Sequence, residues 1–167
     1  MKKIIALVHD LYEDLELHYP IIRLQEEGFQ TVIAGENKDK VYQGKNGYPC
    51  KSQVSFKELK SEDFSCLLIP GGYAPDKLRR IPEVIRLVQE MNHEGKIIAF
   101  ICHAGWVPIS AKILDKKKVT GTKAIKDDLE NAGAIWNDAP VVIDGNLISS
   151  RTPADLSQFA KAIVDAL

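Results

Sequence analysis

The sequence predicts an α/β protein built on a doubly wound, mostly parallel sheet with helices on both faces. Three observations carry this. Strand-length apolar runs alternate with helical patterns along the whole chain. The strongest of those runs are continuous in Ile, Leu and Val, as strands buried on both faces require. The chain also opens strand–helix–strand, a βαβ unit that calls for parallel strands and a right-handed crossover.

Residues 3–8 read as the first strand and 10–12 as the turn after it. From Glu13 onward Leu15, Leu17, Tyr19, Ile21, Ile22 and Leu24 recur at roughly helical spacing until Gly28 stops the helix. Pro20 lies inside this pattern and predicts a kink or two short helices. Residues 30–34 are the second strand. Residues 41–49, with Gly44 and Gly47, read as an irregular loop or hairpin, and 55–59 as a short helical turn. Cys66–Ile69 is a buried strand that ends in Pro70-Gly71-Gly72-Tyr73-Ala74-Pro75, where glycines let backbone N–H groups approach a ligand. Pro82 opens a helix with Val84, Ile85, Leu87, Val88 and Met91 on its apolar face, and Gly95 closes it. Ile97–Ile101 is the central strand, followed by small residues and a helix to about Leu114. The basic run at 116–118 reads as a solvated turn. Residues 119–122 form a short strand, 126–132 a helix ended by Gly133, and 134–136 and 141–143 further strands. Asp144-Gly145-Asn146 is a hairpin turn, with 147–149 returning. Thr152 as N-cap, Pro153 at the first helical position and Asp155 near the positive end open the last helix, which closes at Leu167. No repeat, linker or low-complexity segment interrupts the chain, so residues 1–167 are expected to form one domain.

With 167 residues, 45% of them hydrophobic and 27% charged, the chain has room for a full sheet covered by helices. A net charge of −1 provides no electrostatic footprint for nucleic acid or an anionic membrane, and no apolar run is long enough to span a bilayer. Met1-Lys2-Lys3 and the apolar run behind it resemble the start of a signal peptide. His9, Asp10, Glu13 and Asp14 break that run, and no small-residue cleavage site follows, so the expectation is a cytoplasmic protein whose first strand lies there. The three cysteines, Cys50, Cys66 and Cys102, are odd in number and far apart, which argues against a disulfide framework or a cysteine-based zinc site. His9, His18 and His93 lack metal-ligand spacing, and no metal is expected. A flavodoxin-like cofactor binder needs a phosphate-cradling loop after the first strand; His9-Asp10-Leu11-Tyr12 contains no glycine.

In open α/β sheets ligands bind beyond the carboxyl ends of the strands. Cys102 falls where the central strand hands over to a helix, the corner at which α/β hydrolases display a nucleophile. Facing the positive end of the next helix, its thiol is expected well below ~8.5, in the range of roughly 3.5–7.5. A free cysteine at a strand end also serves as a small hydrophobe. A cysteine nucleophile needs a base or pKa depressor, oxyanion donors and a group to orient the base. Glu13, at the start of its helix, would donate to the thiolate if protonated or accept its proton if not, although a carboxylate there equally suits the helix dipole. His103 follows Cys102 directly, so its backbone N–H lies close even if its ring points away. Backbone groups at Gly71, Gly72, His103 and Ala104 are the candidate oxyanion and substrate-binding donors. Asp76 is a further acid, of a type that also starts helices.

Several stretches together resemble one known family. They are Phe100-Ile101-Cys102-His103-Ala104-Gly105, Tyr12-Glu13-Asp14-Leu15-Glu16-Leu17, Pro70-Gly71-Gly72 and Ser149-Ser150-Arg151-Thr152-Pro153-Ala154-Asp155-Leu156. Ile125-Lys126-Asp127-Asp128 and Asn131-Ala132-Gly133 match as well. The likeness is to the ThiJ/PfpI superfamily, most closely its PfpI-type intracellular proteases and general stress proteins, and it covers essentially the whole chain. It implies a flavodoxin-like, class I glutamine amidotransferase-like fold. It implies Cys102 as the reactive elbow cysteine, Glu13 as its carboxyl partner, and His103 as a histidine oriented by an acid from a neighbouring subunit. Asp76 holds that acid's position, where several relatives carry Glu. Ala104-Gly105 stand where relatives often have Gly-Pro, and Thr122-Lys123 where many have Tyr-Pro, so the pocket rim differs. The resemblance implies a homo-oligomer, dimer or hexamer, with no cofactor. It implies a cysteine-dependent stress-response enzyme acting on a small-molecule carbonyl or a peptide. One form is a peptidase- or amidase-type hydrolase; the other is a glyoxalase or deglycase acting on methylglyoxal or glycated amines. The alternative is a non-catalytic redox-sensing stress protein or chaperone that uses the same cysteine.

Overall fold

A computed structural model describes residues 2–167; Met1, the first residue of the signal-like stretch, lies outside the described residues. The opening unit is as expected. β1 (Lys3–Leu7), α1 (Asp14–Glu26) and β2 (Gln30–Gly35) form a βαβ unit in which Lys3 pairs with Gln30 and Leu7 with Ala34, in parallel. However, α1 runs unbroken through Pro20, where a kink or a split was expected. Pro20 removes one ladder donor, the partner of the Glu16 carbonyl, but its ring is buried in the same row as Leu17, Ile21 and Leu24. Burying that whole row outweighs the loss of one hydrogen bond.

Residues 41–49 resolve into a hairpin of β3 (Val41–Gln43) against β4 (Pro49–Lys51), after which β5 (Val54–Ser55) extends the edge beside β2. There follow β6 (Cys66–Ile69), α2 (Ala74–Leu78), α3 (Pro82–His93), β7 (Ile97–Ile101) and α4 (Trp106–Ser110). β8 (Lys118–Val119), α5 (Lys126–Asn131), β9 (Ile135–Trp136), β10 (Val141–Asp144), β11 (Leu147–Ser150) and α6 (Leu156–Ala166) complete the chain. Three expectations change. The strand expected at 119–122 is only β8, which pairs with β9 in a separate ribbon. The helix expected after the central strand is a 3-10 turn, Cys102–Gly105, followed by the five-residue α4. Thr152 precedes a 3-10 turn without a side-chain capping bond, and α6 begins at Leu156.

The main sheet has the order β10-β11-β7-β6-β1-β2-β5, and every neighbouring pair is parallel except β10 with β11. The chain steps from β1 to β2 and β5, then crosses to the other side of β1 for β6, β7 and β11. With right-handed crossovers this reversal puts successive helices on opposite faces. Accordingly α1 packs with α6 on one face, and α3 with α4 on the other. Ile4, Ile5, Leu67, Leu68 and Ile98 are wholly buried between the layers, as their continuous apolar runs predict. The reversal falls between β1 and β6, where diverging connections open a crevice at the strands' carboxyl ends. Among the described residues no helix is long and apolar enough to cross a membrane.

The β3–β4 loop is fastened over this crevice. Asp14 accepts hydrogen bonds from the amides of Asn46 (3.0 Å) and Tyr48 (2.9 Å) and from Asn46 Nδ2 (3.2 Å). Tyr12 Oη donates to the Tyr48 carbonyl (2.6 Å), and the Lys45 amide donates to the Tyr12 carbonyl (2.8 Å). Burial favours the protonated form of Asp14, but these donors outweigh it and hold the carboxyl below its ordinary range. Asp14→Ala strands these donors and should cost about 1–3 kcal/mol in urea unfolding at neutral pH, with faster amide exchange at Asn46 and Tyr48. Because the folded carboxyl is the more acidic, the wild-type advantage is full above about pH 3.8 and fades as the pH falls further.

Candidate active site

The ends of β1, β6 and β7 converge at the crevice. Ile101 is extended (φ −133°, ψ 147°), and Cys102 then turns to φ +63°. Side-chain-bearing residues hold that left-handed conformation only under constraint from their surroundings. The bend swings the half-buried Sγ off the line of β7, to 3.3 Å from His103 Nδ1. The ring therefore faces the sulfur rather than turning away. Burial, with the charge of Lys45 in support, holds His103 below the ordinary histidine value. Near pH 7 the ring is neutral, and in the tautomer protonated at Nε2 its Nδ1 has a lone pair for the thiol proton.

Glu13 does not take the place the sequence reading assigns to it. It is the N-cap of α1, where its carboxylate accepts the Glu16 amide at 2.9 Å. A residue just outside a helix satisfies that helix's free N–H groups, whereas one in the first turn projects onto a face. The carboxyl beside Cys102 is that of Glu16, which is fully buried and close enough for each group to shift the other's ionisation. Glu16 Oε2 accepts the Gly71 amide at 2.7 Å. A sequence signal for Glu16 exists: it shares the helix face of Leu17, Pro20, Ile21 and Leu24, a carboxylate on a core-facing row.

Gly71 is the wedge between these groups. A Cβ there would lie 2.5 Å from Glu16 Oε2 and 2.9 Å from Cys102 Cβ. Its N–H is committed to Glu16, so it is not the oxyanion donor expected. Gly72 takes φ +78°, and around it the Glu13 amide donates to the Gly71 carbonyl and the Tyr73 amide to the Leu11 carbonyl. These bonds lock the loop after β6 to the β1–α1 turn.

A cavity of about 200 Å³ opens above the sulfur, lined by Lys45, Gly72, Tyr73, Cys102, His103 and Trp106. Ala104 is wholly buried and does not line it. Asp76 lies on α2, exposed, with its carboxylate on Arg80 Nη2 at 2.9 Å; within one chain it is not brought to His103. Lys45, Tyr73 and Trp106 carry no sequence signal of their own, because two loops and the start of α4 deliver them. Trp106 is held by its Nε1 donating to Asp128 (2.9 Å), by the Arg79 guanidinium 5.6 Å from its ring centre, and by edge contact with His103. Among the described residues no cluster of three or more His, Cys, Asp or Glu is placed to hold a metal ion.

Desolvation dominates the electrostatics. Burial pushes the Glu16 carboxyl up to about 8 against the pull of the Gly71 N–H. Burial, and then the Glu16 charge, push the Cys102 thiol up to about 12, while the His103 amide and Lys45 pull the other way. This reverses the expectation of an acidic thiol. The dipole invoked for it would come from a long helix, and the helix present is five residues long behind a 3-10 turn. At neutral pH both protons stay on the pair, with the neutral His103 ring at hydrogen-bonding distance from the thiol.

A model of the DJ-1/PfpI family matches residues 2–166. The chain belongs to the DJ-1/PfpI family. It is 41% identical to "Deglycase PfpI" of Pyrococcus furiosus over 99% of both chains. It is 36% identical to "Putative cysteine protease YraA" of Bacillus subtilis over 99% of this chain and 98% of that one. A solved two-domain protein from Anabaena variabilis, containing DJ-1/ThiJ/PfpI-like and ferritin-like domains, superposes with a TM-score of 0.98 at 40% identity. That match covers 99% of this chain and 48% of the Anabaena protein. The ThiJ/PfpI resemblance and the doubly wound fold read from the sequence agree with these DJ-1/PfpI relatives.

Two outcomes follow from the buried carboxyl. Glu16 is a weaker acid folded than unfolded, so its contribution to stability is full below about pH 4.5 and declines as the pH rises through about 8. Urea unfolding should show Glu16→Gln gaining on wild type between pH 5 and pH 8.5; a constant difference contradicts the burial account. The rate of Cys102 alkylation by iodoacetamide should climb with pH through neutrality with no acid plateau. Glu16→Gln, which removes the opposing charge, should move that profile to lower pH.

Proposed function

We propose that this DJ-1/PfpI protein is a cytoplasmic, cysteine-dependent enzyme of the deglycase or glyoxalase type. Its substrate on this reading is a small 2-oxoaldehyde such as methylglyoxal, free or carried on a thiol or amine. The observation that supports it is the Cys102–His103 contact at the floor of a cavity of only about 200 Å³. A three-carbon carbonyl fits that space, which is smaller than the ~300–1,000 Å³ of sites built for drug-sized ligands. A peptide needs more, so the hydrolase reading, the one "Putative cysteine protease YraA" is named for, is less well supported than the deglycase named in PfpI.

In the reaction the Sγ–H proton passes to His103 Nδ1 as sulfur adds to the aldehyde carbon. The carbonyl oxygen takes up a proton and becomes the hydroxyl of a hemithioacetal on Cys102. His103, neutral again once it has given that proton to the oxygen, takes the proton from that carbon and delivers it to the adjacent one, while the hydroxyl proton passes to the neighbouring oxygen, giving a lactoyl thioester. Water cleaves the thioester and returns the thiol. The sum is methylglyoxal plus water giving lactate and a proton, with the oxidation and the reduction on adjacent carbons of one molecule. A carried adduct yields the same lactate and the freed thiol or amine. Backbone amides of Gly72 and His103 at the cavity wall serve the developing oxyanion.

Two further features belong to this reading. Leu11, Leu15, Tyr19 and Ile22 form an exposed apolar row on and before α1, with Tyr48 and Tyr73 also exposed. A homo-oligomer would cover such a row and allow Asp76 of a second copy to orient His103. The raised Cys102 thiol leaves little thiolate at neutral pH, which weighs against the redox-sensing alternative.

Lactate release from methylglyoxal, followed with a coupled lactate assay, tests the proposal. Cys102→Ser should lower the rate by roughly 10³-fold or more. A rate unchanged in that variant removes Cys102 from the chemistry, and turnover of fluorogenic peptides with none of methylglyoxal would restore the hydrolase reading.

A further inference from the structure

We infer that Lys45 is the specificity-determining residue of this site, its ammonium selecting electrophiles that carry a carboxylate beside the reacting carbon. The inference deepens the enzymatic reading above and rests on Cys102 being the group that meets the carbonyl.

Four observations support it. Of the six residues that line the cavity, Lys45 supplies the one cationic side chain, since the His103 ring is neutral and the other four are Gly72, Tyr73, Cys102 and Trp106. Glu16, buried beside Cys102, is protonated at neutral pH, and the Asp14 carboxylate is already engaged by the amides of Asn46 and Tyr48. Lys40, Lys51 and Lys96 pair with carboxylates, whereas among the described residues Lys45 enters no ion pair and is available to a ligand. Finally, its charge bears on Cys102, His103 and Glu16 alike, so it lies within electrostatic reach of all three.

The loop is built to hold it there. The Lys45 amide is tied to the Tyr12 carbonyl at 2.8 Å, and the residues after it are tied to Asp14. Tyr12 Oη, besides donating to the Tyr48 carbonyl, lies 2.9 Å from His18 Nε2. With the backbone fixed from both sides, only the side chain must order when an anion binds, which lowers the entropic cost of recognition. A single ammonium in a small cavity suits one carboxylate close to the electrophilic carbon. The favoured substrates are therefore carbonyl adducts of carboxylate-bearing thiols or amines, such as free amino acids, over adducts whose nearest carboxyl is amidated.

Alkylation of Cys102 by iodoacetate and by iodoacetamide tests this without any turnover, because the two reagents differ chiefly in that carboxylate. Mass spectrometry of the Cys102 peptide isolates it from buried Cys50 and Cys66. The quantity read is the iodoacetate rate divided by the iodoacetamide rate. Lys45→Gln should lower this ratio roughly two- to fivefold at low salt, the effect shrinking at high salt. Lys45→Arg should keep the wild-type ratio. An unchanged ratio in Lys45→Gln overturns the inference. So does an equal slowing of both reagents, which would make Lys45 a modulator of the thiol alone. In the enzymatic arm, wild type should process the methylglyoxal hemithioacetal of N-acetylcysteine faster than that of N-acetylcysteine amide, and Lys45→Gln should narrow the gap. If neither adduct turns over, the deglycase reading fails while the alkylation ratio still decides the role of Lys45.

Discussion

The hydrogen bond from the Gly71 amide to Glu16 Oε2 joins three segments that are far apart in the chain. It ties the first helix to the loop after β6, and both to the corner at Cys102, at the point where the sheet's winding reverses. The bond satisfies one oxygen of a carboxyl that burial would otherwise make costly. It also requires a residue without a side chain at position 71, since a Cβ would strike both the carboxyl and the cysteine. The strained φ of Cys102, the placement of Glu16 and the course of the glycine loop are thus one arrangement, and none of the three would persist alone.

The same packing decides the chemistry. Excluding water from Glu16 keeps its proton on at neutral pH, and excluding water from Cys102 keeps the thiol uncharged. On the proposed reading a nucleophile so placed depends on a nearby neutral base, and His103 Nδ1 is at hydrogen-bonding distance. The left-handed turn at Cys102 brings the adjacent His103 to the sulfur, and in the proposed reaction that histidine takes the part a long helix dipole was expected to play. The carboxyl below and the lysine above have opposite effects on ionisation, so the site is poised by neighbours contributed from separate loops.

Precision at the rim comes from a loop that looks irregular in sequence. A buried carboxylate, Asp14, organises residues 46–48 through three hydrogen bonds, and a buried tyrosine, Tyr12, clamps the same loop through its hydroxyl and its carbonyl. Both belong to the turn that also carries Glu13 and Glu16. One short stretch of chain thus caps a helix, places an acid under the sulfur and positions a cation over it. Across the cavity Trp106 is steadied by Asp128 and Arg79, so the opposite wall is also held by polar contacts.

Much of this is legible along the chain because it is written in local periodicity. Continuous apolar runs at Cys66–Ile69 and Ile97–Ile101 can only be strands buried on both faces, and the small residues after Cys102 mark a corner. The parallel sheet, the position of the cysteine and the family likeness follow from such features. Which carboxyl meets the sulfur does not, because a one-residue difference in where α1 begins turns a side chain by about 100° around the helix axis. The core-facing row of α1 favours Glu16 only once the start of that helix is known, and packing against Gly71 fixes the choice. The acidity of Cys102 depends on how much water its neighbours exclude, and the approach of Lys45 depends on a loop laid across the sheet from a distant strand. Periodicity belongs to consecutive residues; desolvation and proximity arise only once remote segments lie side by side.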